Sequence, residues 1–408
     1  MFKSKCKNIL YRATLCVCLL MLAGLAQSAA TKLNDYHWSG VDRVIAISDL
    51  HGDYQQYFKV MQSAGLINAK GKWIGGKTHL VQTGDITDRG PDSRKIIDHL
   101  IKLSKQANKK GGHIHMLIGN HEAMNVSGDL RYVHAEEYAV FANSKSLHLQ
   151  ELQWQRQLEM VQSLDAKAFA ALDLAAARSK WEKKIPLGWV EHRAAWAVDG
   201  EYGKWVLKNP VAIRINDTVY LHGGISSKFC RYSLRSLSKL MHEGLSDYDA
   251  DKPSIVDDPL GPTWYRGLAQ EDESGVYSQT LDNVLKRYKV KRMVVGHTPT
   301  DGIVWPRFDQ RVIVNDTGIA KYYGANKGIL ELQGGVATAI YAGQRIQIPQ
   351  ASSERVDYLR AVIKVNPDNA KLKKRLEKLL ASELVEKTSA EEASTEEPEE
   401  AAVIGICQ

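Results

Sequence analysis

The sequence predicts an α/β fold in which two β-sheets form a sandwich, helices flank the sheets, and a helical cap is inserted between two sets of strands. In the first half of the chain, short apolar runs alternate with amphipathic segments, which is typical of parallel βαβ units. A second set of short strands follows toward the C-terminus and indicates a second sheet. A stretch rich in Ala, Leu, Gln and Glu, without Gly or Pro, lies between the two sets.

The first strands are predicted at residues 44–48, 79–84 and 114–119. Residues 91–105 form an amphipathic segment between the last two, and its apolar side chains share one helical face. In parallel sheets the loops at the carboxyl ends of the strands carry the chemistry. The residues that follow each strand are therefore the candidate site residues.

The insertion is predicted at residues 135–184 as two or three helices, and an aromatic-rich segment extends it to residue 210. Its aromatic residues include Trp181, Trp189, Trp196, Tyr202 and Trp205. They either wall a pocket for an aromatic leaving group or fill the core between the cap and a sheet.

Strands return after the insertion. They are predicted at residues 218–221, 292–295 and 312–315, and at 328–333 and 337–342, where Gly334 and Gly335 turn a hairpin. These strands complete a catalytic domain predicted at residues 31–350.

Both chain ends are expected to lie outside this domain. Residues 1–30 combine a basic start, a short apolar run and small residues, as a cleaved export signal does. Residues 351–384 are expected to form a C-terminal helical segment and residues 385–408 a disordered acidic tail. We therefore expect deletion of the tail after Leu384 to leave stability and activity nearly unchanged.

Composition limits location and partners. The apolar run of the signal is too short to anchor the chain, so we expect a periplasmic or secreted protein without stable membrane association. The net charge of +7 suits an anionic substrate, although scattered surface lysines give the same sum. The sequence has no stripe of aromatic and basic residues of the kind that binds nucleic acid, so we do not expect a nucleic-acid partner. Only Cys230 and Cys407 follow the signal, so the chain is not a disulfide scaffold. The oligomeric state stays open.

Five short motifs at predicted strand ends carry the chemistry. They are Asp49-Leu50-His51-Gly52-Asp53, Gly84-Asp85-Ile86-Thr87-Asp88-Arg89-Gly90, Gly119-Asn120-His121-Glu122, His222-Gly223-Gly224 and Gly296-His297-Thr298-Pro299. Carboxylates, imidazoles and a carboxamide in this arrangement are ligands for divalent metal ions. One such motif is weak evidence, but five in order make chance placement improbable.

These motifs resemble those of the calcineurin-like metallophosphoesterases, and within them the phosphoprotein phosphatase branch and the Shewanella-like protein phosphatases. The resemblance covers residues 41–342 and implies a metal-dependent protein phosphatase with the metallophosphoesterase-type sandwich. It implies one metal held by Asp49, His51 and Asp85, and a second held by Asp85, Asn120, His222 and His297. Manganese, iron and zinc all accept such oxygen and nitrogen ligands.

A dinuclear site clamps phosphate oxygens and supplies a bridging hydroxide for one-step in-line attack on phosphorus. Arg89 and Arg266 are candidates to bind the phosphate, because guanidinium pairs with it bidentately. For Arg266 the alternative is an ordinary surface salt bridge. His121 is the candidate general acid, oriented by Asp88; the alternative is a structural histidine behind the ligands.

Two further acids, Asp53 and Glu122, are expected to orient ligands rather than contact metal. Residues 128–133 and 261–267 add traits of the same subgroup.

One departure bears on the substrate. Eukaryotic Ser/Thr phosphatases carry Ser-Ala-Pro-Asn-Tyr where this chain reads Val314-Asn315-Asp316-Thr317-Gly318, so a tyrosine that would contact phosphate is missing. Together with the resemblance, this favours a protein phosphatase with phosphotyrosine preference, acting on phosphorylated proteins, peptides or small phosphomonoesters. A small-molecule phosphatase, a dinucleoside polyphosphate hydrolase and an inactive metal-binding protein are the alternatives. The complete ligand set argues against the last of these.

Overall fold

The computed structural model describes residues 31–34, 36–392 and 407, and the side chains of residues 36–382 and 407. It confirms the predicted class, with two mixed β-sheets flanked by helices. The predicted export signal and most of the predicted acidic tail lie outside the described residues. Within the described ranges, no helix is both long enough and apolar enough to cross a membrane.

The strands of the described residues are, in chain order, β1 (Thr31–Asn34), β2 (His37–Ser39), β3 (Arg43–Ile47), β4 (His79–Gln82), β5 (His113–Met116), β6 (Ala212–Ile215), β7 (Thr218–Leu221), β8 (Arg292–Val295), β9 (Trp305–Arg307), β10 (Val312–Val314), β11 (Gly328–Gln333), β12 (Val336–Tyr341) and β13 (Gln344–Gln347). The hairpin predicted at Gly334 and Gly335 is the β11–β12 turn, where both glycines have positive φ.

The α-helices are α1 (Tyr54–Ser63), α2 (Ser93–Asn108), α3 (Asn120–Ser127), α4 (Ala135–Ala139), α5 (Ser146–Leu164), α6 (Ala166–Ala170), α7 (Leu174–Lys184), α8 (Trp189–Trp196), α9 (Glu201–Val206), α10 (Leu234–Ser246), α11 (Gly267–Gln270), α12 (Gly275–Tyr288), α13 (Arg355–Val365) and α14 (Ala370–Glu392). Short 3-10 helices lie at Lys321–Tyr323 and Ser352–Glu354.

Both sheets contain a set of parallel strands. One has the order β1-β2-β6-β7-β8-β10-β9 and the other the order β13-β12-β11-β3-β4-β5. Strands β3, β4 and β5 run parallel, as do β7, β8 and β10. The carboxyl ends of parallel strands meet at one edge of a sheet, which is where sites form in such folds.

Three apolar clusters hold the layers together. The first joins β3, β4 and β5 to α1 and α2, and the third joins β7 and β8 to α10 and α12. The second lies between the sheets, where Val44 and Val81 of one sheet meet Tyr220 and Val294 of the other. All four of these side chains are at most 3% exposed, so the two sheets pack closely against each other here.

The insertion has more helices than predicted. Asp165 and Asp173 divide it, because each side chain accepts backbone N–H groups and so begins a new helix, α6 or α7. Helices α8 and α9 pack against α3, and Arg193 donates to the carbonyl of Asn125 there. The role of the insertion as a cap stays a prediction.

The C-terminal region differs from the expectation of a helix ending at Leu384. Helix α14 continues to Glu392, because this part of the predicted tail is rich in Glu, Lys and Ala, which favour helices. Cys407 forms a disulfide with Cys230. The helix thus continues past the predicted boundary at residue 384, while the disordered tail predicted from residue 385 stays a prediction.

Candidate metal centre

All six predicted metal ligands lie in one buried cluster at the carboxyl edge of the parallel strands. Asp49 and His51 follow β3, Asp85 follows β4, Asn120 begins α3 after β5, His222 follows β7, and His297 follows β8. Each is at most 5% exposed. The two sheets thus contribute to one site from strands that are far apart in sequence.

The Asp85 carboxylate is at the centre of this cluster. Its Oδ2 lies 3.3 Å from Nε2 of His222 and 3.9 Å from Nε2 of His51, and its Oδ1 accepts the backbone N–H of His121 at 2.9 Å. Burial opposes its charge, but the imidazoles of His222 and His121 hold the pKa of Asp85 well below its ordinary value. Asp85 is therefore the ionised group that faces both halves of the site.

Backbone carbonyls orient the imidazoles. Nδ1 of His51 lies 3.0 Å from the carbonyl of Thr87, and Nδ1 of His222 lies 3.0 Å from that of Thr83. A carbonyl can only accept, so Nδ1 carries the proton in both rings and Nε2 faces the carboxylates. This is the orientation that metal-binding histidines require.

The charge of the cluster also fits a cation. Burial by itself lowers the pKa of His222, but the carboxylates of Asp85 and Asp49 raise it to about 9. The cluster therefore favours positive charge beside Nε2 of His222, where Oδ1 of Asn120 and Nδ1 of His297 also lie, at 2.9 and 3.1 Å. A divalent ion with oxygen and nitrogen ligands meets the same demand.

Two groups of side chains in the described residues can each hold a metal ion. One consists of Asp85, His222 and His297, as the resemblance implied. The other consists of His51, Asp85 and His121, whereas the resemblance implied Asp49 together with His51 and Asp85. Asp49 is nevertheless adjacent, with Oδ2 3.8 Å from Nε2 of His51. Asp85 belongs to both groups.

The local backbone is shaped for close approach. His51, Asp85 and His297 all have positive φ, between 43° and 63°, which is uncommon for residues other than glycine. At Gly84 a Cβ atom would lie 2.6 Å from the Cα atom of Gly119 and 2.9 Å from Nδ1 of His222. Glycine beside the ligands therefore lets neighbouring loops pack against each other.

His121 and Asp88 form a pair beside the cluster. Nδ1 of His121 lies 2.6 Å from Oδ2 of Asp88, and Asn125 donates to the other oxygen of that carboxylate at 2.8 Å. Burial lowers the pKa of His121, but the carboxylates of Asp85 and Asp88 more than offset this and raise it above its ordinary value. The protonated ring is thus favoured, as a general acid requires. Sequence reasoning did not find Asn125.

The two predicted arginines both lie at the site. Arg266 donates through Nη1 to the carbonyl of His297 and lies 3.3 Å from Oγ1 of Thr298. Arg89 is half-buried between tyrosine rings, with its guanidinium carbon 3.8 Å from the ring centre of Tyr132 and 4.8 Å from that of Tyr322. The contacts of Arg266 are therefore not those of an ordinary surface salt bridge.

Glu122 and Asp53 support the loops. The Glu122 carboxylate accepts the backbone N–H groups of Asp85, Ile86 and Gly119 at 2.7–2.9 Å. Asp53 accepts the N–H of Gln56 at the start of α1, and its other oxygen accepts the N–H of Lys321. Both acids hold backbone in place around the ligands.

Three tyrosines near the site had no role predicted from the sequence. Tyr323 lies with its ring centre 5.1 Å from that of His51, and Tyr322 contacts Arg89. The comparison with the Ser-Ala-Pro-Asn-Tyr segment predicted that no tyrosine contacts phosphate at this point of the chain. Tyr322 and Tyr323, a few residues later, nevertheless lie at the site. No motif marked them. Tyr132 lay within a quoted subgroup trait without an assigned role.

Asp316 is a further acid in the cluster. Burial, and then the neighbouring Asp49 carboxylate, raise its pKa well above the ordinary value. Its Oδ1 accepts the N–H of Gly318 at 3.0 Å.

Two of the aromatic residues named above, Trp196 and Tyr202, lie in the core. Trp196 and Tyr202 are at most 2% exposed and stack at 5.3 Å between ring centres. Trp181 packs on Trp154 within the insertion at 5.2 Å. Of the two interpretations left open, core filling describes Trp196 and Tyr202.

Comparison with known proteins agrees with this site. The family model for calcineurin-like phosphoesterases matches residues 42–301. The chain belongs to that family and is a metal-dependent phosphoester hydrolase.

Its relatives include Shewanella-like protein phosphatase 2 of Arabidopsis thaliana, 28% identical over 71% of this chain and 74% of the relative. An uncharacterised protein of Schizosaccharomyces pombe is 30% identical over 75% of this chain and 82% of its own length. The crystal structure of a cold-active protein-tyrosine phosphatase from a psychrophilic Shewanella species has a TM-score of 0.59 and 27% identity, and the match covers 78% of this chain and 83% of that one.

Proposed function

We propose that this protein is a phosphatase with two divalent metal ions that hydrolyses phosphomonoesters of proteins or peptides, with a preference for phosphotyrosine. The observation that carries the proposal is the Asp85 carboxylate, which belongs to both groups able to hold a metal. A carboxylate shared in this way is the usual bridge of a two-metal hydrolytic site.

The metals would be held by Asp49, His51, Asp85, Asn120, His222 and His297. Bound there, they would neutralise phosphate charge and activate water near neutral pH. Arg89 and Arg266 would bind the phosphate oxygens, because both guanidinium groups border the cluster. His121, held by Asp88, would give its Nε2 proton to the departing oxygen.

The preference for phosphotyrosine rests on the chemistry of the leaving group and on the similarity of this chain to a solved structure. A phenolate has a pKa of about 10 and departs far more easily than an alkoxide, so it demands less of the acid. The similar crystal structure from Shewanella is that of a protein-tyrosine phosphatase. Aromatic rings also surround Arg89.

A single assay plate tests the function. It compares phosphotyrosine peptides, phosphoserine peptides, mononucleotides and diadenosine tetraphosphate with added manganese. We expect the highest kcat/KM for phosphotyrosine. A higher value for phosphoserine or for the dinucleotide overturns the tyrosine preference, and no turnover of any phosphomonoester overturns the phosphatase itself.

We also propose that the protein is exported to the periplasm or secreted. The disulfide between Cys230 and Cys407 supports this, because such bonds persist in oxidising compartments and are rare in the cytosol. N-terminal sequencing of the purified protein should begin near Ala29, Ala30 or Thr31. An intact Met1 in a cytosolic fraction contradicts export.

A further inference from the structure

A cavity of about 370 Å³ opens directly beside the metal centre. Its lining includes His51, Arg89, Pro91 and Tyr322. Because it borders both a metal ligand and a candidate phosphate-binding arginine, it lies where a group attached to the phosphate would extend.

Two tyrosines fix the guanidinium at the edge of this cavity. Arg89 lies over the ring of Tyr132 at 3.8 Å and over that of Tyr322 at 4.8 Å, and its Nη1 lies 3.3 Å from the hydroxyl of Tyr322. Its backbone N–H also donates to the carbonyl of Tyr132. Arg89 is therefore held by two tyrosine rings before any substrate arrives.

Tyr322 is exposed but not loosely held. Its side chain is 63% exposed, and it is the one tyrosine among the strongly exposed large apolar or aromatic residues of the described chain. Its ring meets that of Tyr323 edge to face at 4.9 Å, and the preceding Lys321 donates its N–H to Asp53. An aromatic ring fixed in this way can contact a ligand with little further loss of conformational freedom.

We propose that the cavity lined by Arg89 and Tyr322 receives the aromatic ring of the leaving group, and that Tyr322 is the residue that selects aryl over alkyl phosphates. This rests on the proposed phosphatase function and names the part of the site that sets its substrate class. The ring of a phosphotyrosine side chain in the cavity packs on Tyr322, whereas a phosphoserine side chain is too short to reach it.

The contact to Arg89 gives Tyr322 a second possible effect, because loss of that contact weakens phosphate binding for every substrate. Two variants separate these effects. Tyr322→Phe removes only the hydroxyl and its contact with Arg89, while Tyr322→Ala also removes the ring. The measured quantity is the ratio of kcat/KM for two peptides that differ only in carrying phosphotyrosine or phosphoserine.

We expect Tyr322→Ala to lower this ratio roughly 3- to 10-fold, the range typical of one aromatic contact. Tyr322→Phe should lower both rates but keep the ratio. Leu164→Ala, which removes another strongly exposed apolar side chain from the end of α5, is the control and should change neither. Manganese content of each variant, measured by mass spectrometry, shows that the metal centre is intact.

An equal loss for both peptides in Tyr322→Ala overturns this inference, because Tyr322 then acts only through Arg89. That result leaves the phosphatase function standing. The wild-type protein provides the separate test of that function, since the ratio changes with Tyr322 whichever peptide the wild type prefers.

Discussion

The pairing of His121 with Asp88 gives a prediction about individual residues. If His121 protonates the leaving oxygen, His121→Asn should slow alkyl phosphates by about 100- to 10,000-fold, the usual contribution of a general acid. Aryl phosphates should lose much less, because a phenolate leaves without full protonation. The measurement is kcat/KM for both substrate types in the variant and the wild type.

Asp88→Asn is the matched control for His121. It keeps the shape of the side chain that lies 2.6 Å from Nδ1 but removes its charge. We expect the same bias toward aryl substrates with a smaller loss. An equal loss on alkyl and aryl phosphates in His121→Asn would point to a positioning role instead.

Residues in short motifs were predictable, and residues outside them were not. His51 and Asp85 each stand next to a glycine after a strand, where chemistry and local backbone give a combined signal. Tyr322 lies beside Arg89, which stands more than two hundred positions earlier in the chain. Nothing in the spacing of the sequence reveals that contact, because it depends on how two loops from different strands meet.

The disulfide at the C-terminus carries a prediction for the terminal elements. Cys230 is fully buried after β7, and Cys407 packs against the same apolar cluster, so the bond closes a sequence separation of 177 residues. A native disulfide over such a span typically contributes about 2–5 kcal/mol. Cys407→Ser should therefore lower the free energy of unfolding by about that amount, measured by denaturant titration.

Reduced wild-type protein is the control for this change and should match the variant. Equal stability of Cys407→Ser and the oxidised wild type would show that the bond contributes nothing. The same argument reverses the expectation that deletion after Leu384 is harmless, since that deletion removes Cys407. The sequence contains both cysteines but does not show that they lie close together, because residues 177 positions apart give no signal of pairing.

Buried histidines make the whole molecule sensitive to acid. His79 and His115 lie between the sheets with ring nitrogens 3.0 Å apart, and Trp38 and His113 pack beside them. Burial, and then the neighbouring His113, lower the pKa of His79 to about 4 from the ordinary 6.5. The unfolded chain therefore binds more protons between these two values.

Stability should be complete above about pH 6.5 and fall as the pH drops toward 4. Denaturant midpoints measured across this range test the prediction. His79→Gln should flatten the dependence while lowering stability at pH 7, because a neutral amide keeps a polar group without the titration. A wild-type midpoint that stays constant from pH 7 to pH 4 would contradict this account.

The architecture of the whole molecule followed from strand spacing and apolar periodicity. The β11–β12 hairpin and the parallel β3–β4–β5 unit appear where predicted, because a buried core leaves a clear pattern in the sequence. The insertion and the C-terminus were less predictable. Their helices depend on the Asp165 and Asp173 caps and on helix propensity, which are weaker signals than a buried strand.

The metal content of the purified protein tests the central claim most directly. The measurement is the number of divalent ions per chain, by mass spectrometry after dialysis, in the wild type and in Asp85→Asn, together with turnover of p-nitrophenyl phosphate. We expect two ions per chain and turnover in the wild type, and loss of both bound metal and turnover in the variant, since Asp85 borders both groups of ligands. A variant that keeps the metal content and activity of the wild type would contradict the account.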